Sequence, residues 1–321
     1  MDYVDQFMGC PARKFSLTET KYDQSKFYGR LKYFLSLVNP MGLLYTQAQA
    51  DEAKQVLEDY KNGTLKRQYT DEELWHARWL KEAVFHPDTN EPIMKLFRLS
   101  AFGAVNIPIG IGMLLSPKTP FNIAFWQAIN QTNNVGFNYC NRSINNPFTN
   151  MQLICSYLLA TSSSVIIGLK FDKFITRHSG NSVLLRTLGP ATAVAVAGCF
   201  NLLVIRYREL YEGISVYDEN GKDLGKSKIA AKDGLSKTLA IRFGFQYPVC
   251  FVPVITALGM RKMGIYPTAG IGKVLAEVFV ISLSVFGVLP CCFAAYPQML
   301  HADKLEPEFK SNAGFWYNRG L

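Results

Sequence analysis

The sequence predicts an all-α, polytopic membrane protein: about five transmembrane helices, an additional amphipathic Asn-rich helix and a helical N-terminal soluble region. Three observations carry this. Five apolar windows contain no charged residue. Residues 1–95 hold 13 Lys/Arg and 14 Asp/Glu, so the net charge of +9 comes entirely from residues 96–321. Residues 121–142 carry carboxamides where a surface helix normally carries charges.

In the N-terminal region (1–95), DEELWHARWLKEAVF (71–85) reads as a helix. Thr70 is its N-cap, with Glu73 three residues on, as in a capping box. HPDTNEP (86–92) follows. Pro87 disfavours helix at His86. Asp88, Thr89 and Asn90 can cap a new helix, with Glu91 and Pro92 in its first turn. The stretch therefore reads as stop–cap–start punctuation. A gate or ligand role for His86, Pro87, Asp88, Thr89 and Glu91 stands beside that, as do an acid–base pair of His86 and Asp88 and a metal site from His86, Asp88 and Glu91. No nucleophile elbow or phosphate loop accompanies them, so no enzyme is expected.

A transmembrane helix needs roughly 17–25 mostly apolar residues. The windows 99–115, 153–169, 188–205, 243–260 and 278–295 meet this, within a membrane region spanning 96–298. Pro108, Pro190, Pro248, Pro253 and Pro290 lie inside them. A proline frees a backbone carbonyl, so these positions are candidate breaks, and broken helices line cavities in transporters. Residues 206–242 read as a hydrophilic loop with eight Lys/Arg and six Asp/Glu, and Asn220-Gly221 signals a hairpin within it. Residues 299–321 read as a C-terminal tail.

On a helix at 100° per residue, Gln127, Asn130, Gln131, Asn134, Asn138, Asn141 and Arg142 share an arc of about 120°, and only Asn133 breaks the pattern. Phe125, Ala128, Ile129, Val135, Gly136, Tyr139 and Cys140 fall opposite. Amides are neutral yet both donate and accept, so they can bond the ammonium and the carboxylate of a zwitterion without burying net charge. The stripe therefore suits a cavity for a small polar solute. It equally suits an interfacial helix or interhelical amide bonding. Asn201, near the end of the third window, and Glu277, beside the fifth, are further polar residues at membrane depth.

The basic balance around apolar windows fits anionic lipid head groups. No dense Lys/Arg run points to nucleic acid. Seven cysteines with no Cys-x-x-Cys, most inside apolar windows, argue against disulfides and structural zinc. No cofactor or metal is expected. MDYVDQFMGC reads as neither a secretory signal nor an Arg-rich transit peptide.

Several segments resemble the sideroflexin family of mitochondrial inner-membrane carriers. They are YDQSKFYGRLKYFLSLVNP (22–40), HPDTNE (86–91), WQAINQTNNVGFNYCNR (126–142), ATAVAVAGCFNLLVIRYREL (191–210), GISVYDENGKDLGKSKIAA (213–231), PCCFAAYPQ (290–298) and YNRGL (317–321). LEDYKNGTL (57–65) and SKIAAKDGL (227–235) resemble the family's fifth paralogue, described as a tricarboxylate carrier, more than its serine-transporting branch. Departures fall at Ala128, at Gly189–Ala193 and at Tyr296.

The resemblance implies a secondary transporter of small amino acids, serine above all, in the mitochondrial inner membrane. It implies support of one-carbon metabolism and an N-terminal part facing the matrix. Gln127, Asn130, Gln131, Asn134, Asn138, Asn141 and Asn201 are the expected substrate-binding residues. The HPDTNE residues and Pro290 are the expected gating or structural motif. The alternatives are a tricarboxylate carrier, or a non-transporting scaffold for respiratory-chain or other membrane-protein partners. A tricarboxylate calls for several buried cations. Here Arg98, Arg142, Arg206 and Arg242 all sit at window edges.

Overall fold

The structure is a computed structural model that describes residues 10–117, 119–141, 149–178, 183–219, 221–302, 305–307, 309 and 314–318. Two compact units divide it. One contains the chain up to Leu114, the stretch beginning at Gly136, and Ile281–Tyr296; the other contains Leu115–Val135, Phe148–Val280 and the chain from Pro297.

The first unit begins with helix α1 (Phe27–Leu37), α2 (Gln47–Asn62) and α3 (Asp71–Val84). Capping boxes start both later helices: Thr46 with Gln49, and Thr70 with Glu73. Gly63, at φ 71°, ends α2 in the left-handed region that glycine adopts without strain. The apolar faces of α2 and α3 enclose Ala50, Ala53, Leu57, Leu74, Trp75, Leu80 and Val84, with Phe15 packed among them. Burial of each large side chain contributes about 1.5–3 kcal/mol. Arg30 of α1 is buried, and its Nε donates to the Ala294 carbonyl at 2.7 Å while Nη1 donates to the Gln24 and Ser25 carbonyls at 3.0 and 2.7 Å. It thereby caps the end of the short helix α11 (Leu289–Ala294).

HPDTNEP is a closed loop, not the start of a helix. His86 N–H donates to the Glu91 carbonyl, Asn90 N–H to the His86 carbonyl, and a bridge joins Phe85 to Pro92. Asn90 takes φ 55°, a turn conformation that asparagine tolerates. Glu91 and Pro92 thus lie on the returning limb of a turn, and the expected new helix does not form there.

Among the described residues, four helices are long and apolar enough to cross a membrane: Asn150–Ile175, Val183–Arg206, Lys228–Lys262 and Gly270–Ala294. They correspond to the last four windows. The first window forms a shorter apolar stretch, Leu99–Met113. Its start is a 3-10 turn, and α4 proper (Phe102–Leu115) rises only about 21 Å, short of a bilayer core of about 30 Å. The helices run unbroken through Pro108, Pro190, Pro248 and Pro253. The irregularity lies instead in the last span: α10 (Gly270–Leu283) passes into a π turn, Ser284–Val288, before Pro290. Pro290 cannot donate to the carbonyl four residues back, which lies in that wider turn.

In the second unit, α6 (Asn150–His178) packs along α7 (Val183–Arg206), and α9 (Lys228–Lys262) packs along α7. Small residues permit this: Ala191, Ala193, Ala195 and Ala197 are fully buried, and a Cβ on Gly189 would come within 2.7 Å of Phe171 Cβ. The expected hydrophilic loop is shorter than its charge suggests, because α9 already begins at Lys228 and is 35 residues long. Before it come the short helix α8 (Glu209–Glu212) and the expected hairpin, β1 (Ile214–Tyr217) with β2 (Asp223–Ser227). Asn220 of its turn lies outside the described residues.

The C-terminal segment completes a sheet rather than trailing. Strands β3 (Met299–Ala302) and β4 (Phe315–Asn318) extend the hairpin into an antiparallel sheet of order β2-β1-β4-β3, with Val216 opposite Tyr317. Phe315 and Tyr317 point inward and Trp316 and Asn318 outward, the period of two that a half-buried strand requires.

Candidate functional site

The carboxamide stripe lies on one continuous helix, α5 (Pro120–Cys140). Its start follows from local chemistry. Pro120 sits in the first turn, and Thr119 Oγ1 accepts from Asn122 N–H at 3.2 Å. Trp126 Nε1 donates to Ser116 Oγ at 2.7 Å and ties the first turns to the chain before them.

The helix is polar on its inner face and apolar on its outer one. Gln127 is 3% exposed and Gln131 1%, and Asn130 is buried beside them. Phe121 is 74% exposed, with Phe125, Ile129 and Tyr139 also exposed. Gln127 Oε1 and Gln131 Nε2 are buried with no hydrogen-bond partner among the described residues. A buried amide atom left unbonded costs about 1–3 kcal/mol. Two such atoms one helical turn apart are what a polar ligand or water would satisfy.

The stripe changes character along its length. Asn134 is half-buried and donates to Gln131 Oε1 over a long 3.4 Å. Asn138 is half-buried. Asn141 Nδ2 donates to the Phe97 carbonyl at 2.8 Å and to the Phe137 carbonyl at 2.9 Å, so its donor serves to close the helix end. A Cβ on Gly136 would come within 2.4 Å of the Phe97 ring, which explains a glycine there. The pattern seen in sequence thus joins two jobs: amides buried toward Gln127, and a structural anchor at Asn141. Arg142 lies outside the described residues.

Asn201 is buried on α7. His86 is buried as well. Its Nδ1 accepts from the backbone N–H groups of Asp88 and Thr89, at 3.2 and 3.3 Å, and Thr89 Oγ1 accepts from Glu91 N–H at 3.1 Å. This nitrogen is spent holding the loop. Pro290 is buried in the first turn of α11.

Of the edge arginines, Arg206 makes a bidentate ion pair with Glu209, its Nε at 2.9 Å from both carboxylate oxygens. Arg98 is buried and donates from Nε to the Ile93 carbonyl at 2.9 Å.

Two residues missed in sequence matter here. Tyr266 donates its hydroxyl to Glu277 Oε1, and Glu277 lies two turns inside α10 rather than at a helix end. Glu306, in a segment read as tail, caps the start of α9: Oε2 accepts from Ser227 Oγ at 2.6 Å, and Oε1 from the Lys228 and Ile229 N–H groups at 2.7 and 2.9 Å. No local periodicity announces either partner, because each contact joins a loop residue to a helix: the one that follows it for Tyr266, a distant one for Glu306. In the same sheet module, a cleft of about 240 Å³ is lined by Asp233, Lys237, His301 and Tyr317, among others.

Four long apolar helices, with a helix whose amides face inward, define a multi-pass α-helical membrane protein. The chain matches the family model of the Sideroflexins over residues 16–321 and belongs to that family. It is 36% identical to Sideroflexin-5 of Homo sapiens over 320 residues, covering 97% of this chain and 94% of that protein. It is 32% identical to Sideroflexin-3 of Rattus norvegicus over 325 residues, 98% of this chain and 100% of the relative. Sideroflexin of Dictyostelium discoideum is 32% identical over 327 residues, 96% and 98% of the two chains. No solved structure matches the chain.

Proposed function

We propose that the chain is a secondary transporter of a small polar zwitterion, serine first, acting in the mitochondrial inner membrane with its N-terminal region on the matrix side. The buried amide face of α5 carries the reading. Gln127, Asn130 and Gln131 turn inward while Phe121, Phe125 and Ile129 turn outward, the reverse of a water-soluble surface helix. Unbonded Gln127 Oε1 offers an acceptor for an ammonium, and unbonded Gln131 Nε2 a donor for a carboxylate. The choice of serine, the supply of one-carbon metabolism and the mitochondrial location rest on the family resemblance.

A zwitterion is favoured over a tricarboxylate by charge. Arg206 is neutralised by Glu209, which removes one of the four edge cations that a trianion would call on, while Arg98 keeps its charge and donates Nε to the Ile93 carbonyl. Within the second unit Asn134 continues the amide face and α7 carries the further amide Asn201; in the first unit the HPDTNE loop and the π turn before Pro290 are the proposed gating or structural motif.

The test is uptake of labelled serine and labelled citrate into liposomes holding purified protein. Serine uptake supports the reading. Citrate uptake alone replaces it with the tricarboxylate carrier. No uptake of either by folded protein replaces it with a non-transporting scaffold for membrane-protein partners.

A further inference from the structure

We propose that Glu277 is a proton-binding carboxyl that couples solute movement to protons; this rests on the carrier reading above. Glu277 sits seven residues into the Gly270–Ala294 span, about 10 Å along the helix axis. It is 4% exposed, so it does not reach water at the helix end. Oε1 accepts from the Tyr266 hydroxyl. Oε2 is buried and bonded to nothing among the described residues.

A carboxylate with a bare oxygen in an apolar setting is costly, and binding a proton there removes the charge and the cost together. An amide stripe made of neutral groups cannot supply such a step. Among the described residues, three ionisable groups are placed near Glu277 by contact or by helix register. Tyr266 is buried against it, Arg261 lies over the Tyr266 ring at 4.6 Å, and Lys273 is one turn earlier on the same helix. Arg261 is exposed while Tyr266 and Glu277 are buried, so the contacts Arg261–Tyr266 and Tyr266–Glu277 connect an exposed cation to the buried carboxylate. Burial, then the bond to Glu277, push the Tyr266 hydroxyl above its ordinary pKa, which keeps it a proton donor. A proton that arrives at the phenol oxygen while the phenolic proton passes to Oε1 leaves Tyr266 unchanged and Glu277 neutral. The reverse transfer restores the carboxylate.

The experiment uses the full-length protein in liposomes, with a pH-sensitive dye inside and labelled serine outside. Under an inward proton gradient the wild type accumulates serine and the lumen acidifies with it. Glu277→Gln loses gradient-driven accumulation about tenfold or more, yet retains serine exchange at zero gradient, which shows that it is folded and binds. Tyr266→Phe slows proton flux and leaves exchange intact. Serine movement without proton flux in the wild type, or gradient-driven accumulation by Glu277→Gln at the wild-type level, overturns the proposal. If the wild type moves no serine, the carrier reading fails, and the proton site is read separately by pH-difference infrared spectroscopy. A protonated-carboxyl band lost in Glu277→Gln supports the site; an identical band in both proteins overturns it.

Discussion

Replacing Glu306 tests whether a residue from the C-terminal segment holds the start of the longest helix. Its carboxylate accepts three hydrogen bonds, from Ser227 Oγ and the amides of Lys228 and Ile229. It also places negative charge at a helix N-terminus, worth a further 0.3–1 kcal/mol or about that. Hydrogen bonds to a charged acceptor contribute about 1.5–3 kcal/mol each, against about 0.5–1.5 for a neutral one. Glu306→Gln keeps an acceptor but loses the charge; the difference is about 1 kcal/mol per bond and about 3 over the three, which partial exposure of the carboxylate reduces to about 2 kcal/mol. Hydrogen exchange measured by mass spectrometry over 226–232, 299–302 and 314–318 reads that opening directly. A loss of about 2 kcal/mol speeds exchange there about 30-fold, with helix α3 unchanged as the internal control. Burial raises the Glu306 pKa, but the bonds from Ser227 and the Ile229 and Lys228 amides outweigh it and hold the carboxyl below its ordinary value. The folded pKa is depressed, so the stabilisation is complete above the unfolded value, about 4.3, and fades as pH falls through the folded value. The gap between wild type and Glu306→Gln is therefore full at neutral pH and closes in acid. Equal exchange in the two proteins at neutral pH refutes the capping argument.

Gly29→Ala places a Cβ 1.9 Å from the Asp23 carbonyl oxygen, a backbone atom that cannot swing aside. The expected loss is about 1–3 kcal/mol, read by thermal unfolding in detergent. Arg30→Lys, with a single nitrogen, cannot serve both the Ala294 carbonyl and the Gln24 and Ser25 carbonyls; it gives up at least one charged hydrogen bond and loses about 1.5–3 kcal/mol in the same assay. His86→Ala strips the acceptor from the Asp88 and Thr89 amides and costs about 2 kcal/mol, whereas His86→Asn, with an oxygen near the place of Nδ1, recovers most of it. A metal or catalytic role for His86 predicts instead that Asn is no better than Ala. The Thr70 amide and then Arg67 pull the Glu73 carboxyl down to about 2. Its contribution to the α3 cap is present above the unfolded value and is lost only as pH falls toward about 2, which carboxyl NMR titration checks.

The helical character was legible because periodicity and apolar length are local. Thr70 with Glu73 announced its own cap, and Gln127, Asn130 and Gln131 announced one face before any contact was known. The inward direction of that face was not written in the stripe itself; it depends on what packs beside α5. Strands β3 and β4 escaped detection because each is four residues long, and Val216 opposite Tyr317 is a partnership made across a hundred residues of sequence. HPDTNEP was misread in part for the same reason. Asp88, Thr89 and Asn90 have the chemistry of an N-cap, but the Phe85–Pro92 bridge turns the chain back and gives their amides to His86 instead. The acidic residue at the edge of the fifth window gained meaning only when α10 proved to begin at Gly270, which carries Glu277 into the apolar interior.

The central claim is that the amide face of α5 borders the solute's route. Single cysteines at Gln127, Gln131, Phe125 and Ile129, placed in a background with the native cysteines replaced, test it most directly. The protein is reconstituted and exposed to a membrane-impermeant, water-soluble thiol reagent during turnover, with and without serine. The account predicts reaction at 127 and 131, protection of both by serine, and no reaction at 125 or 129. Reaction confined to 125 and 129, or reaction at 127 and 131 that serine leaves untouched, contradicts it.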